Sequence, residues 1–97
     1  MLQQEQIIPE VMDMSPDVID VLPEVDFSLV LTFESGERKR FDMLPYIGRS
    51  VWFEELRDWS YFSLARPEFG TVVWPHGQDL CPDTLYLNST PMESSDL

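Results

Sequence analysis

The sequence predicts a small α+β domain: an antiparallel sheet built from β-hairpins, with one packed helix and a short C-terminal helix. Three observations carry that expectation. Phe27, Leu29, Leu31 and Phe33 alternate with Ser28, Val30, Thr32 and Glu34, the two-residue period of a strand with one apolar face. Trp52, Leu56 and Trp59 recur at the i, i+4, i+7 spacing that places them on one side of a helix. A β-branched run, Thr71-Val72-Val73-Trp74, halts at Pro75 and turns at Gly77.

In chain order, residues 1–16 contain three glutamines, two prolines and scattered acids without a period, and are expected to be a flexible acidic N-terminal tail. A single domain is expected over residues 17–88. It begins with Val18-Ile19-Asp20-Val21-Leu22, a β-favouring run stopped by Pro23. The strand from Phe27 to Phe33 then turns at Ser35-Gly36 and returns from Arg38 to Met43, with Phe41 and Met43 inward. Arg38 and Arg40 share one face of that return strand while Lys39 takes the other, so cross-strand pairing with Glu34, Glu37 or Asp42 is expected on a solvated face.

Residues 44–48 form a connector, and Ser50 stands as N-cap of a helix over Val51–Arg57, with Glu54 and Glu55 early and Arg57 late as the helix dipole favours. Residues 61–66 have the pattern of a short strand with Phe62 and Leu64 on one face. Residues 67–70 are expected to be a turn, and Pro82 suits the first position of a helix ending near Leu87. Residues 89–97 are polar and acidic, a flexible C-terminal tail.

The formal net charge is −12, and its distribution matters more than its size. Residues 1–26 hold seven acids and no Lys or Arg, and Glu93 and Asp96 extend the excess at the other end. Such a surface promotes solubility, repels phosphate backbones and attracts a basic protein. Direct nucleic-acid binding is therefore not expected of the isolated chain. Cys81 is the single cysteine, so no intramolecular disulfide is available and a reducing, cytoplasmic setting is expected. No segment approaches the roughly 20 apolar residues that span a bilayer.

Chemistry is sparse. His76 is the only histidine, placed on a turn by Pro75 and Gly77, where a turn-stabilising imidazole is favoured over a catalytic base. Cys81, near a helix start, is read as a small buried thiol in preference to a nucleophile. His76, Asp79, Cys81 and Asp83 are ligand-capable types, but they lack the spaced Cys and His sets of a structural zinc site. No glycine-rich phosphate loop is present. The expectation is a protein without enzymatic activity or cofactor. Trp52, Trp59, Trp74, His76 and Asp79 are the candidate partner-binding residues.

The hairpin around Ser35-Gly36, the segment Val51-Trp52-Phe53-Glu54-Glu55-Leu56-Arg57-Asp58, the run Gly70 to Leu80 and the segment Pro82-Asp83-Thr84-Leu85-Tyr86 together resemble domain-of-unknown-function family 2442, small and mostly bacterial proteins. Trp74-Pro75-His76-Gly77-Gln78-Asp79-Leu80 is the most specific part, with His76 where many members carry Asn. The resemblance implies a small α+β fold, similar to the N-terminal domain of some helix-turn-helix regulators, an extension that is not expected here. It also implies a toxin–antitoxin-like gene arrangement and supplies no catalytic residues.

The leading expectation is thus a protein-interaction module, antitoxin-like, that engages a basic partner. The alternatives are a transcription-regulatory module that contacts nucleic acid, alone or through a partner, by way of Arg38, Lys39 and Arg40, and a small-molecule binder or cryptic enzyme at the His76/Asp79 turn.

Overall fold

A computed structural model describes residues 15–92. Residues 1–14 and 93–97, which include most of the two expected tails, lie outside the described residues. The alternating apolar pattern forms three consecutive strands, β1 (Val18–Pro23), β2 (Ser28–Phe33) and β3 (Arg38–Asp42), joined as antiparallel hairpins. A short helix α1 (Leu44–Ile47) follows, then a 3-10 helix (Val51–Arg57) and α2 (Trp59–Phe62). Next come a second hairpin of β4 (Arg66–Glu68) and β5 (Thr71–Val73), the helix α3 (Pro82–Leu87) and a two-residue strand β6 (Thr90–Pro91). The main sheet has the order β1-β2-β3-β6, and β4-β5 form a separate two-stranded sheet. The fold is α+β, as the sequence predicts.

The core lies on one face of the main sheet, because only that face carries Leu29, Leu31 and Phe33 from β2 and Phe41 from β3. Ile47, Leu56, Phe62, Val72, Trp74 and Leu85 close over it from the helices and the second hairpin. The opposite face is less solvated than expected, since Ser28 and Val30 are buried there too. Val30 sits in the central strand between Leu22 and Arg40, and flanking side chains of that length cover a neighbour.

The loops β1–β2 and β2–β3 share one geometry. Glu24 N–H donates to Ser28 O and Phe27 N–H to Glu24 O; likewise Phe33 N–H donates to Glu37 O and Gly36 N–H to Phe33 O. Each is a three-residue loop whose last residue has positive φ, Phe27 at 68° and Gly36 at 95°. The β4–β5 loop has two residues, Phe69 and Gly70, with φ of 55° and 77°, the combination a type I′ turn demands. A bulky L-residue in this region costs about 1 to 2 kcal/mol. For Phe27 packing offsets that cost, because its ring meets Phe62 edge-on at 5.0 Å and Trp59 at 6.2 Å.

Several expectations are corrected. Residues 61–66 do not form a strand: Asp58 caps α2 by accepting from the Ser60 N–H at 3.1 Å, and one helical turn buries the adjacent Tyr61 and Phe62 together while Leu64 is exposed. Residues 67–70 are not all turn, since Pro67 and Glu68 pair with Val72 and Thr71. Val51–Arg57 is a 3-10 helix, not an α-helix, and Ser50 occupies its N-cap position without a side-chain hydrogen bond. Three residues per turn split the expected stripe, so Leu56 is fully buried while Trp52 is 54% exposed. Cys81 is exposed, not buried. The polar end also takes part, as Thr90 and Pro91 pair with Arg40 and Lys39. At the other end the Ser15 hydroxyl donates to Asp83 at 2.7 Å.

The basic cluster divides as its alternation requires. Lys39 is buried on the core face, its Nζ 2.8 Å from Tyr86 O and 3.7 Å above the Tyr86 ring. Arg40 is exposed and pairs with Glu24 at 3.0 Å, an acid of the β1–β2 loop. Tyr86 also donates its hydroxyl to Glu37 at 2.7 Å and packs edge-on against Phe33, which seats α3 on the hairpin.

Candidate functional site

The segment from Trp74 to Leu80 continues the pattern of the first two loops. Trp74 N–H donates to Gln78 O at 3.0 Å and Gly77 N–H to Trp74 O at 2.9 Å, while Val73 and Asp79 form an isolated bridge beyond them. Pro75, His76 and Gly77 are therefore a three-residue loop, and Gly77 takes its closing positive φ of 99°. Past the loop the chain alternates: Gln78 and Leu80 are buried and Asp79 is exposed.

Gln78 is fully buried and is the centre of the site. Its Oε1 accepts from the Tyr61 hydroxyl at 2.6 Å, and its Nε2 donates to Trp52 O at 3.2 Å and to Glu55 Oε1 at 2.9 Å. Tyr61 in turn accepts from the His76 N–H at 2.8 Å, and its ring stacks on the imidazole at 5.2 Å. Glu55 Oε2 meets His76 Nδ1 at 2.7 Å. One side chain thus ties the 3-10 helix, α2 and the turn to one another. A buried network of this kind holds its parts in one arrangement because every unmade bond in a low-dielectric interior is costly.

Beneath it, the Trp74 indole N–H donates to Phe62 O at 3.0 Å, and the Thr71 hydroxyl donates to Leu80 O at 2.6 Å. Of the five candidate residues, Trp52 lies against the turn that carries His76, where a Cβ on Gly77 would lie 3.8 Å from the Trp52 ring. Trp74 is core. Trp59 lies apart, packed on Phe27 and Phe62, and Asp79 is exposed beside the turn.

The residues the sequence reading passed over are Gln78, Tyr61 and Glu55. A signal existed for Gln78: it stands two residues before Leu80 in an alternating run, which turns it inward.

Chemically, the turn joins an exposed imidazole to an exposed carboxylate. Among the described residues no group of three His, Cys, Asp or Glu is placed to hold a metal ion. A groove of about 560 Å³ opens elsewhere, lined by Asp26, Ser28, Arg40, Asp42, Leu44 and Met92 among others, and none of its lining residues belongs to the turn.

Among the described residues two carboxyls are held below the usual value of 4.5: Glu55 chiefly by its hydrogen bond with His76 and then by Gln78, and Glu37 chiefly by the Tyr86 hydroxyl. In each, partial desolvation opposes the shift. A carboxyl whose folded-state value is depressed contributes stability that is present above 4.5 and is lost as pH falls through the lower folded value. Urea denaturation at a series of pH values should therefore show stability falling below 4.5, with a shallower fall in Glu55→Gln and in Glu37→Gln. Equal slopes in wild type and both variants would contradict the assignment.

What fold and site define is a small α+β domain whose most distinctive loop is an aromatic turn organised by a buried glutamine. The chain belongs to the family described as Protein of unknown function (DUF2442), whose model matches residues 18–91. That span runs from the first residue of β1 to the last of β6. No curated protein and no solved structure matches the chain. No helix among the described residues is long and apolar enough to cross a membrane.

Proposed function

We propose that this domain is a non-enzymatic interaction module, antitoxin-like in role, that binds a basic partner protein. The supporting observation is how its positive charges are used. All six Lys and Arg, and thirteen of the eighteen Asp and Glu, fall among the described residues. Lys39 is buried on Tyr86, Arg49 lies over Tyr46, and Arg40, Arg57 and Arg66 pair with Glu24, Glu54 and Glu68. Five of the six cations are thus engaged within the domain, and the field it presents outward is negative. The same observation weighs against the nucleic-acid reading, because Arg38, Lys39 and Arg40 do not form a continuous basic face.

The test is affinity capture with the full chain from its native host at moderate salt, followed by titration of the identified protein. A basic protein whose affinity falls about ten-fold or more between roughly 50 and 300 mM salt is the expected result. Recovery of the free chain alone counts against the proposal.

A further inference from the structure

Of the two phenylalanines with positive φ, Phe27 is held by aromatic packing, whereas Phe69 is 92% exposed. Among the described residues no ring contact involves Phe69. The position disfavours phenylalanine twice, since a type I′ loop selects Asn or Asp followed by Gly, and solvent disfavours a bare ring. Residues kept in unfavourable backbone regions without local compensation concentrate where a protein meets a ligand.

The mount beneath the ring is rigid. Gly70 O accepts from Val18 N–H at 3.0 Å, which docks the hairpin tip on β1, and a Cβ on Gly70 would come within 2.6 Å of Asp17 Oδ1. Two acidic residues stand on the β1 side of the tip. Asp17 lies against Gly70, and Glu34 is joined to it by its own N–H to Asp17 O at 2.8 Å. Glu68 is balanced by Arg66 at 2.8 Å, so Asp17 and Glu34 set the local sign.

We propose that Phe69 is the apolar anchor of a docking surface, inserted into an apolar pocket of a basic protein whose Lys and Arg residues meet Asp17 and Glu34. This rests on the interaction reading above and gives it a location, on the β4–β5 tip instead of the His76 turn. An aromatic knob on a rigid base loses little conformational freedom on binding, which is the character of an interface hot spot.

The test compares wild type, Phe69→Asn and the double variant Asp17→Asn/Glu34→Gln, each as the full chain. The probe is the basic protein captured from the host, identified by mass spectrometry, produced separately and titrated calorimetrically. Asparagine is the residue the loop geometry favours, so Phe69→Asn should melt at the wild-type temperature or a few degrees higher while binding at least about thirty-fold more weakly. The double variant should bind several-fold more weakly, with a flatter salt dependence. Wild-type affinity in Phe69→Asn overturns the anchor and leaves the interaction reading standing; absence of any basic protein that binds wild type overturns both. A Phe69→Asn chain that melts lower than wild type shows Phe69 to be a structural residue and overturns the proposal. Concentration-dependent self-association in sedimentation, abolished by Phe69→Asn, also overturns it, because the occupant is then a second copy of this chain.

Discussion

Replacing Trp74 with alanine is expected to cost about 3 to 5 kcal/mol, the range for removing a buried large aromatic side chain. Against the 5 to 15 kcal/mol that separates a typical domain from its unfolded state, that loss leaves little. Three consequences of one substitution add up here. The indole is 1% exposed, it packs on Phe62 at 5.8 Å, and its N–H satisfies the Phe62 carbonyl. Urea unfolding should show a lower midpoint with an unchanged slope. Trp74→Phe separates the contributions: it keeps most of the packing but removes the indole bond to the Phe62 carbonyl, which retains the Ala65 N–H at 3.2 Å, and the lost bond should cost about 0.5 to 1.5 kcal/mol. A Trp74→Ala chain within 1 kcal/mol of wild type would mean that the ring is not the centre of the core.

Gln78→Leu is the second large effect, about 2 to 4 kcal/mol, although leucine is apolar and close in size. The substitution removes the acceptor of the Tyr61 hydroxyl and the donor to Trp52 O and Glu55. Buried groups that lose a partner cost more than the bonds contributed. Gln78→Glu sharpens the test, since it sets a second carboxylate against Glu55, now 2.9 Å from the Gln78 amide. It should be more damaging at pH 7 than near pH 4, where protonation relieves the like-charge contact. A neutral outcome for Gln78→Leu in thermal and chemical denaturation would remove glutamine from the centre of the site.

The parts of this fold that were legible in the sequence are those set by a two-residue period and by special backbone residues. Leu29, Leu31, Phe33 and Phe41 declare the buried face, and Gly36, Pro75, Gly77 and Pro82 mark turns and a helix start where they occur. The helical middle was harder to read. Tyr61-Phe62-Ser63-Leu64 imitates strand alternation, and the competing signal, Asp58 as a cap, is a single residue whose effect depends on the Ser60 amide two positions on. The stripe of Trp52, Leu56 and Trp59 assumed an α-helical turn, which the 3-10 geometry does not provide.

The site was legible only at its rim. Trp74 and His76 announce themselves by type, but Gln78 is a polar residue in a polar turn, and its partners Tyr61 and Glu55 stand 17 and 23 positions away. Hydrogen bonds over such separations are made by tertiary packing and leave no local trace. Phe69 is hidden for a different reason: Pro67-Glu68-Phe69-Gly70 has the composition of a single turn, which conceals the ring's place at the tip of a hairpin.

The last strand has a consequence for how copies of this chain meet. Thr90 faces Arg40 in the register, and the Met92 N–H donates to Arg38 O, so alternate residues of β6 bond inward and Pro91 is turned to the open side. Proline has no N–H to offer there, and an incoming segment finds no donor at the position where it would begin to zip. Two residues are thus enough to stop the sheet from growing sideways into an unending ribbon.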